Sequence, residues 1–309
     1  MAVHAPIRLM FLGFGEAASL FATGFAAGAL KELAAYAPSV HGGTGAKRLH
    51  ERAALSGTRL VSDLAAFSAA NWIFAMVPPA QALNAAWAVS PHLAQGAIYV
   101  DFSSAAPRHK IEAAASIESA GAHYVDAAII GSVPASGHQV PVIASGAHAE
   151  TFAASFTPLG MDISILGSAI GAAAGTKLVR SILAKGLEAL YVEALVVAER
   201  SDITQEVLDS FCAFLDARTA RATAEILLKS HVVHAARRAD EVLMARELVL
   251  EAGIPPIMTD AIINLMRQTA ESRATERAGR RQPASLNHAL DILEAELPGA
   301  AQQDTETAR

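Results

Sequence analysis

An apolar run over residues 7–12 leads straight into Gly13-Phe14-Gly15-Glu16-Ala17-Ala18, and an Ala-rich stretch follows. No other segment restricts the fold as much. The pattern G-x-G-x-x-G/A between a strand and a helix assigns each small residue a task. Gly13 permits the tight turn, Gly15 lets backbone approach a pyrophosphate, and Ala18 allows close packing of helix on strand. The start of the helix then offers free N–H groups and the positive end of its dipole to phosphate. Residues Gly13, Phe14, Gly15, Glu16, Ala17 and Ala18 are therefore expected to bind a dinucleotide.

The rest of the first half agrees with that beginning. Strands are expected over 7–12, 33–36, 59–61, 71–77, 97–102, 124–130, 140–144 and 160–165. Helices are expected over 16–30, 46–55, 79–89 and 108–120. Such alternation reads as an α/β domain, a Rossmann-like doubly wound sheet. The second half changes character. Residues 172–200 contain no proline, and further helices are expected over 205–216, 218–229, 233–252 and 256–276. Gly253 and Pro255 close one of these, and Pro256 suits the start of the next. The expected plan is a dinucleotide-binding domain over 1–167, an all-helical substrate and dimerisation domain over 168–297, and a polar, flexible tail over 298–309.

Composition decides among function classes. Charged residues make up 17% of the 309 residues and hydrophobic ones 52%, with a formal net charge of -6. Low charge raises the possibility of a membrane span, since residues 64–100 contain no Lys, Arg, Asp or Glu. Asn71, Pro78, Pro79 and Gln81 interrupt the stretch, and proline breaks a helix. It reads as buried globular sequence. The acidic balance gives no footprint for nucleic acid. The start, MAVHAPIRLM, has no apolar run of the signal-peptide type. The single cysteine, Cys212, fits a reducing compartment, so a cytoplasmic location is expected, with Cys212 as a small core residue. No His, Cys, Asp and Glu set shows metal spacing. His231 and His234 stand alone, and no metal is expected.

The cofactor type is read from the end of the second strand. An NAD enzyme carries a carboxylate there for the ribose 2′-OH. Here the strand runs out as Ala35-Tyr36-Ala37-Pro38-Ser39 with no acid, and Glu32 falls at the opposite end. Ser39 is expected at the cofactor, and His41, Lys47 and Arg48 follow where they could meet a 2′-phosphate, so NADP is favoured over NAD.

Several further motifs carry a family resemblance. They are Ile73-Phe74-Ala75-Met76-Val77-Pro78-Pro79, Val100-Asp101-Phe102-Ser103-Ser104-Ala105-Ala106-Pro107, Asp126-Ala127-Ala128-Ile129-Ile130-Gly131-Ser132, and Gly171-Ala172-Ala173-Ala174-Gly175-Thr176-Lys177. With the glycine turn, they make the chain resemble the β-hydroxyacid dehydrogenase superfamily, which includes 6-phosphogluconate and 3-hydroxyisobutyrate dehydrogenases. Within it the chain looks closest to a phosphogluconate-dehydrogenase-like branch with its own C-terminal domain of unknown function. The resemblance spans about residues 7–258. It implies Val77 and Pro78 at the cofactor, Ser103 near nicotinamide and substrate, and Lys177 on the family's catalytic lysine. It also implies a homodimer formed through the helical domain.

The chain departs from that pattern in three places. Ile130 replaces the serine expected on a substrate carboxylate, and Ser181 replaces the asparagine one turn past the lysine. A cofactor-binding lysine is missing from the segment Asp240-Glu241-Val242-Leu243-Met244-Ala245. Ser103, Gly131, Ser132, Ser181 and Lys185 remain as substrate candidates.

Chemically, hydride transfer to a carbonyl leaves an alkoxide that needs a proton, and the reverse reaction needs a base. A lysine desolvated among small apolar residues suits both roles. Ser181, four residues on, shares its helix face. His138 is expected as an exposed loop histidine. Arg237-Arg238 before Asp240-Glu241 reads as an exposed ion-pair face or as a clamp for an anion. The resulting expectation is an NAD(P)-dependent oxidoreductase acting on a small carbonyl or hydroxy compound. An imine-reductase-like NADPH enzyme and a non-catalytic dinucleotide-binding protein are the alternatives.

Overall fold

In this computed structural model, which describes residues 6–25, 29–43 and 45–296, the apolar runs align as one eight-stranded sheet. Its strands are β1 (Arg8–Leu12), β2 (Glu32–Tyr36), β3 (Arg59–Leu60), β4 (Trp72–Ala75), β5 (Ile98–Asp101), β6 (His123–Ile129), β7 (Val142–Ser145) and β8 (Ile163–Ile165). They lie in the order β3-β2-β1-β4-β5-β6-β7-β8. Every neighbouring pair is parallel except β6 with β7. The connections carry α1 (Glu16–Gly24), α2 (Ala46–Ser56), α3 (Ala82–Val89), α4 (Pro107–Ser119), the single turn α5 (Val133–Ser136) and α6 (Ala149–Phe156). Strand order reverses between β1 and β4. Open sheets take ligands at such a switch point, beyond the carboxyl ends of the strands.

Both faces of the sheet are covered, which explains the uninterrupted apolar strands. Leu9, Phe11, Trp72, Phe74 and Val100 face α1 and α6 through Phe21, Phe152 and Phe156. Met10, Leu12, Ile73 and Tyr99 face α3 and α4 through Ala86, Val89, Ala113 and Ile117. Phe74 is central to the first layer, with ring centroids 4.8 Å from Phe156 and 5.0 Å from Phe102. Emptying such a position costs about 3–5 kcal/mol. The charge-free stretch supplies β4, the Pro78-Pro79 turn and α3. Among the described residues no helix is long and apolar enough to cross a membrane.

The second half is helical: α7 (Ala172–Arg200), α8 (Thr204–Asp216), α9 (Ala220–Glu251), α10 (Ile257–Glu271), α11 (Ala274–Arg277) and α12 (Leu286–Glu296). The chain forms two compact units, Met1–Leu183 and Ala184–Arg309, divided within α7. In the second unit, Glu193 accepts the N–H groups of Met258 and Thr259 at 2.8 Å each, satisfying the start of α10. Val232, Ala289, Ile292 and Leu293 form its small core.

Several elements differ from expectation. The first helix stops at Gly24, and Phe25 is already extended. The His138 ring lies where a Cβ on Gly24 would stand, so that helix end is shaped by a residue from far along the chain. His138 itself is buried, not exposed. Its Nε2 lies 3.1 Å from the Leu159 carbonyl, and its ring packs on Phe25. The segments expected over 218–229 and 233–252 are one helix, α9, because neither glycine nor proline interrupts residues 220–251. The segment expected over 256–276 breaks at Ser272, which is extended and whose Oγ accepts the Ala274 N–H at 3.1 Å. Helices α6 and α12 were not foreseen. Cys212 is exposed on α8 and does not belong to the core. The tail expected over 298–309 lies outside the described residues.

Candidate functional site

The loops after β1, β2, β4, β5 and β6 all leave the same edge of the sheet. Gly13 takes φ +87°, and a Cβ there would stand 2.7 Å from the Met76 carbonyl oxygen and 2.8 Å from Val77 Cγ1. Its N–H donates to the Tyr36 carbonyl at 2.8 Å. One glycine thus draws together the ends of β1, β2 and β4. Gly15 presents the opposite situation, since a Cβ there would meet nothing within 4 Å. It caps α1 in extended conformation, and no side chain bonds to the first turn. The turn is open, backbone-lined and at the positive end of a helix, so it fits a dinucleotide pyrophosphate. Phe14 differs from its neighbours: its ring is buried against Phe11, so only its backbone faces the turn. Ala18 is buried and Glu16 exposed.

Beyond β2, Pro38–His41 forms a short 3-10 turn containing Ser39, and α2 follows. Lys47 and Arg48 occupy the exposed first turn of α2, which holds no acidic residue and no side-chain cap. Two cations at a helix N-terminus oppose the dipole, an arrangement that an anion would relieve. Among the described residues Lys47 forms a weak ion pair with Glu51, at 4.0 Å. Glu32 starts β2, at the opposite edge of the sheet, and is bound by Arg59.

After β5, the buried Ser103 donates its backbone N–H to Asp101 Oδ1 at 2.8 Å. Its own Oγ finds no hydrogen-bond partner among the described residues. After β6 come the exposed Gly131 and Ser132, whose carbonyl turns the chain into α5. Lys177 and Ser181 are both partly buried in the opening turns of α7. Lys185, further along α7, falls in the second unit. The Lys177 amine has its pKa lowered, first by burial and then by the positive charge of Lys110.

Lys110 escaped the sequence reading. It is fully buried in the first turn of α4, with Nζ 2.8 Å from the Asp101 carbonyl, 3.1 Å from Asp101 Oδ1 and 3.3 Å from Asp126 Oδ1. Two sequence signals point to it. Lys110, Ala113, Ala114 and Ile117 share one helical stripe, so a cation occupies a core position. The triplet Tyr-Val-Asp also occurs twice, and its copies lie in register: Tyr99 beside Tyr124, Val100 beside Val125, Asp101 beside Asp126. Two carboxylates side by side in a core are stabilised by a cation between them. Tyr124 donates to Asp101 Oδ2 at 2.6 Å, and burial followed by the Asp101 charge holds its pKa well above the ordinary tyrosine range.

Arg237 and Arg238 are engaged within the second unit, by Glu241 and by Ser230 Oγ. His231 Nε2 meets Thr269 Oγ1 at 2.8 Å. Among the described residues no group of three or more His, Cys, Asp and Glu could hold a metal ion.

Comparison with known proteins gives this geometry a family. Residues 39–167 match the NAD binding domain of 6-phosphogluconate dehydrogenase, and residues 198–269 match a domain of unknown function, DUF1932. A conserved hypothetical protein from Sinorhizobium meliloti is 29% identical, over 95% of this chain and 98% of its own, with a TM-score of 0.61. A conserved protein described as structurally similar to 3-hydroxyacid dehydrogenases is 30% identical, over 86% of this chain and 97% of its own, with a TM-score of 0.59. An imine reductase from Myxococcus stipitatus, solved with NADP+, shares the fold at a TM-score of 0.69 and 19% identity, over 94% of this chain and 100% of its own.

The sheet and its glycine turn define a dinucleotide-binding protein of the dehydrogenase type. The chain belongs to the 6-phosphogluconate-dehydrogenase-like NAD-binding family, in the group that carries a DUF1932 domain.

Proposed function

We propose that this chain is an NADP-dependent oxidoreductase that interconverts a small carbonyl compound and its hydroxy counterpart, with Lys177 as acid and base. The observation that carries the proposal is the setting of Lys177. It is a partly buried lysine in a charge-poor helix start, with its pKa lowered by burial and by Lys110. A proton carrier works best when its pKa approaches the working pH.

The bound nicotinamide supplies hydride in one direction and accepts it in the other. The residues of the chain do the rest. Backbone N–H groups of the Gly13–Ala18 turn hold the pyrophosphate. Lys47, Arg48 and Ser39 receive the 2′-phosphate, with no carboxylate at the end of β2 to repel it. Val77 and Pro78 flank the cofactor. The unpartnered Oγ of Ser103 offers a hydrogen bond to the reacting oxygen or to the carboxamide of the cofactor. Gly131 and Ser132 complete the substrate side, and Ser181 orients the Lys177 amine or the substrate oxygen. Lys177 delivers the proton to the nascent alkoxide, or removes it from the hydroxyl in the oxidative direction.

Replacing Lys177 with Met tests this directly. Turnover of the best substrate from a panel of 2- and 3-hydroxy acids should nearly vanish, while NADPH binding by fluorescence titration stays intact. Near-normal kcat removes Lys177 from the mechanism. The fold shared with an imine reductase supports a second reading, in which the substrate is a cyclic imine. Cyclic imines in the same panel separate the two.

The second unit exposes Val192, Phe211, Phe214 and Ile257. An apolar hollow of about 500 Å³ lies between α7 and α8, lined by Leu187, Tyr191, Leu195 and Phe211. We assign this surface to a homodimer, tested by light scattering; a monomer at working concentration contradicts it. With one cysteine, exposed and unpaired, a reducing cytoplasm suits the chain.

A further inference from the structure

The loop bearing Ser103 and the helix bearing Lys177 are distant in sequence, yet one side chain is linked to both. Lys110 Nζ lies between Asp101 and Asp126, within 3.3 Å of an oxygen of each. From Asp101 the chain of contacts continues to the Ser103 N–H at 2.8 Å. From Asp126 it continues through Oδ2 to the Ala174 N–H at 3.0 Å, in the first turn of α7. Ser145 Oγ reinforces that end, 3.4 Å from Asp126 Oδ2 and accepting the Ala173 N–H at 3.1 Å. Pro107, at the head of the helix that carries Lys110, lies against Gly171 and Gly175. A Cβ on Gly171 would stand 3.0 Å from the Pro107 ring. Small residues here let α7 settle against α4.

We propose that Lys110 is a positioning residue, gripping Asp101 and Asp126 so that the Ser103 loop and the Lys177 helix are held in one fixed relation. The proposal rests on the hydride-transfer reading for its purpose, but its geometry is independent of any substrate. A packing role alone would be met by an apolar side chain. Two adjacent buried carboxylates, each already holding a backbone N–H of a different element, are instead bridged by the Lys110 ammonium. That cation also lies near enough to Lys177 to disfavour its protonated form. Lys110 meets Asp101 and Asp126 and feels Lys177, while Tyr99 and Tyr124 interact with Asp101 and Ser145 with Asp126.

The test follows Lys177 by competitive amine labelling across a pH series, read by mass spectrometry, in the full-length wild type and in K110M and K110Q. K110Q keeps a hydrogen-bond donor between the carboxylates and removes the charge, and it serves if K110M does not fold. In either variant the Lys177 titration midpoint should move up, with burial of the amine left in place. With a substrate in hand, kcat should fall by about tenfold to a hundredfold while NADPH affinity is unchanged. An unchanged Lys177 midpoint in a folded variant overturns the proposal, even if its melting temperature drops. Labelling reads Lys177 whether or not any substrate is turned over. Absence of turnover in the wild type therefore counts against the hydride-transfer reading alone, and the midpoint still decides the role of Lys110.

Discussion

Asp126, in the middle of β6, accepts the backbone N–H of Ala174 at 3.0 Å across 48 residues of chain. The other oxygen of the same carboxylate lies 3.3 Å from Lys110 Nζ. One buried group therefore satisfies a donor that α7 cannot pair internally and half of a buried ion pair. Asp126→Ala leaves Lys110 underpaired in a dry core, a kind of change that costs about 3–5 kcal/mol. Asp126→Asn keeps an acceptor for Ala174 and should lose clearly less. Denaturant unfolding of the two variants checks this ranking, and an Ala variant as stable as wild type contradicts it.

The two glycines of the fingerprint should respond differently to the same methyl group. Gly13 has φ +87° and backbone oxygen within 2.7 Å of any Cβ. Gly13→Ala should destabilise the fold by about 1–3 kcal/mol and weaken cofactor binding with it. Gly15 has no neighbour within 4 Å of a Cβ. Gly15→Ala should melt near the wild-type temperature yet bind NADPH more weakly, because the methyl group enters only the open space proposed for the pyrophosphate. Calorimetric titration beside a melting curve separates the cases. Undiminished affinity in Gly15→Ala would place the dinucleotide elsewhere.

Much of the sheet was legible because the information is local. Residues 72–77 form an unbroken apolar run, as expected of a strand covered on both sides, and Gly13–Ala18 announces the turn that follows β1. What escaped depends on residues far apart. The end of α1 at Gly24 is shaped by His138, more than a hundred positions later. The same contact buries a histidine that its polar loop marks as exposed. The role of Lys110 could be guessed from a cation on an apolar helical stripe. Its partners follow only once β5 and β6 lie in register, which sets Asp101 beside Asp126. Lys177 was found through its motif, whereas the burial that lowers its pKa most and the Lys110 charge that adds to it follow only from the folded chain.

The proposed preference for NADP rests on the first turn of α2. Lys47 and Arg48 stand exposed there without an acid or a side-chain cap, and β2 ends at Tyr36 with no carboxylate. Lys47→Glu with Arg48→Glu should lower NADPH affinity by roughly tenfold or more, the scale of losing one charge-assisted hydrogen bond. Affinity for NADH should hardly change, because it lacks the 2′-phosphate. The unfolding midpoint should not fall, since acids at a helix N-terminus favour the dipole. Equal losses for both cofactors would move the 2′-phosphate away from α2.

Lys177 should leave a signature in the pH dependence of oxidation. Burial and the nearby Lys110 both penalise its charged form, so its folded-state pKa lies below the ordinary lysine value. The neutral amine that accepts the substrate proton is thus available at lower pH than on a free lysine. In the oxidative direction kcat/KM should rise with pH and level off below the ordinary lysine range. Linkage gives the same sign for stability. Between the lowered folded value and the ordinary unfolded one, the unfolded chain binds more protons at this position, so the contribution of Lys177 to stability increases with pH. Lys177→Met should erase the kinetic step and also flatten that part of the stability profile. A rate profile whose rising limb falls at the ordinary lysine pKa, or survives in Lys177→Met, would assign the base to another group.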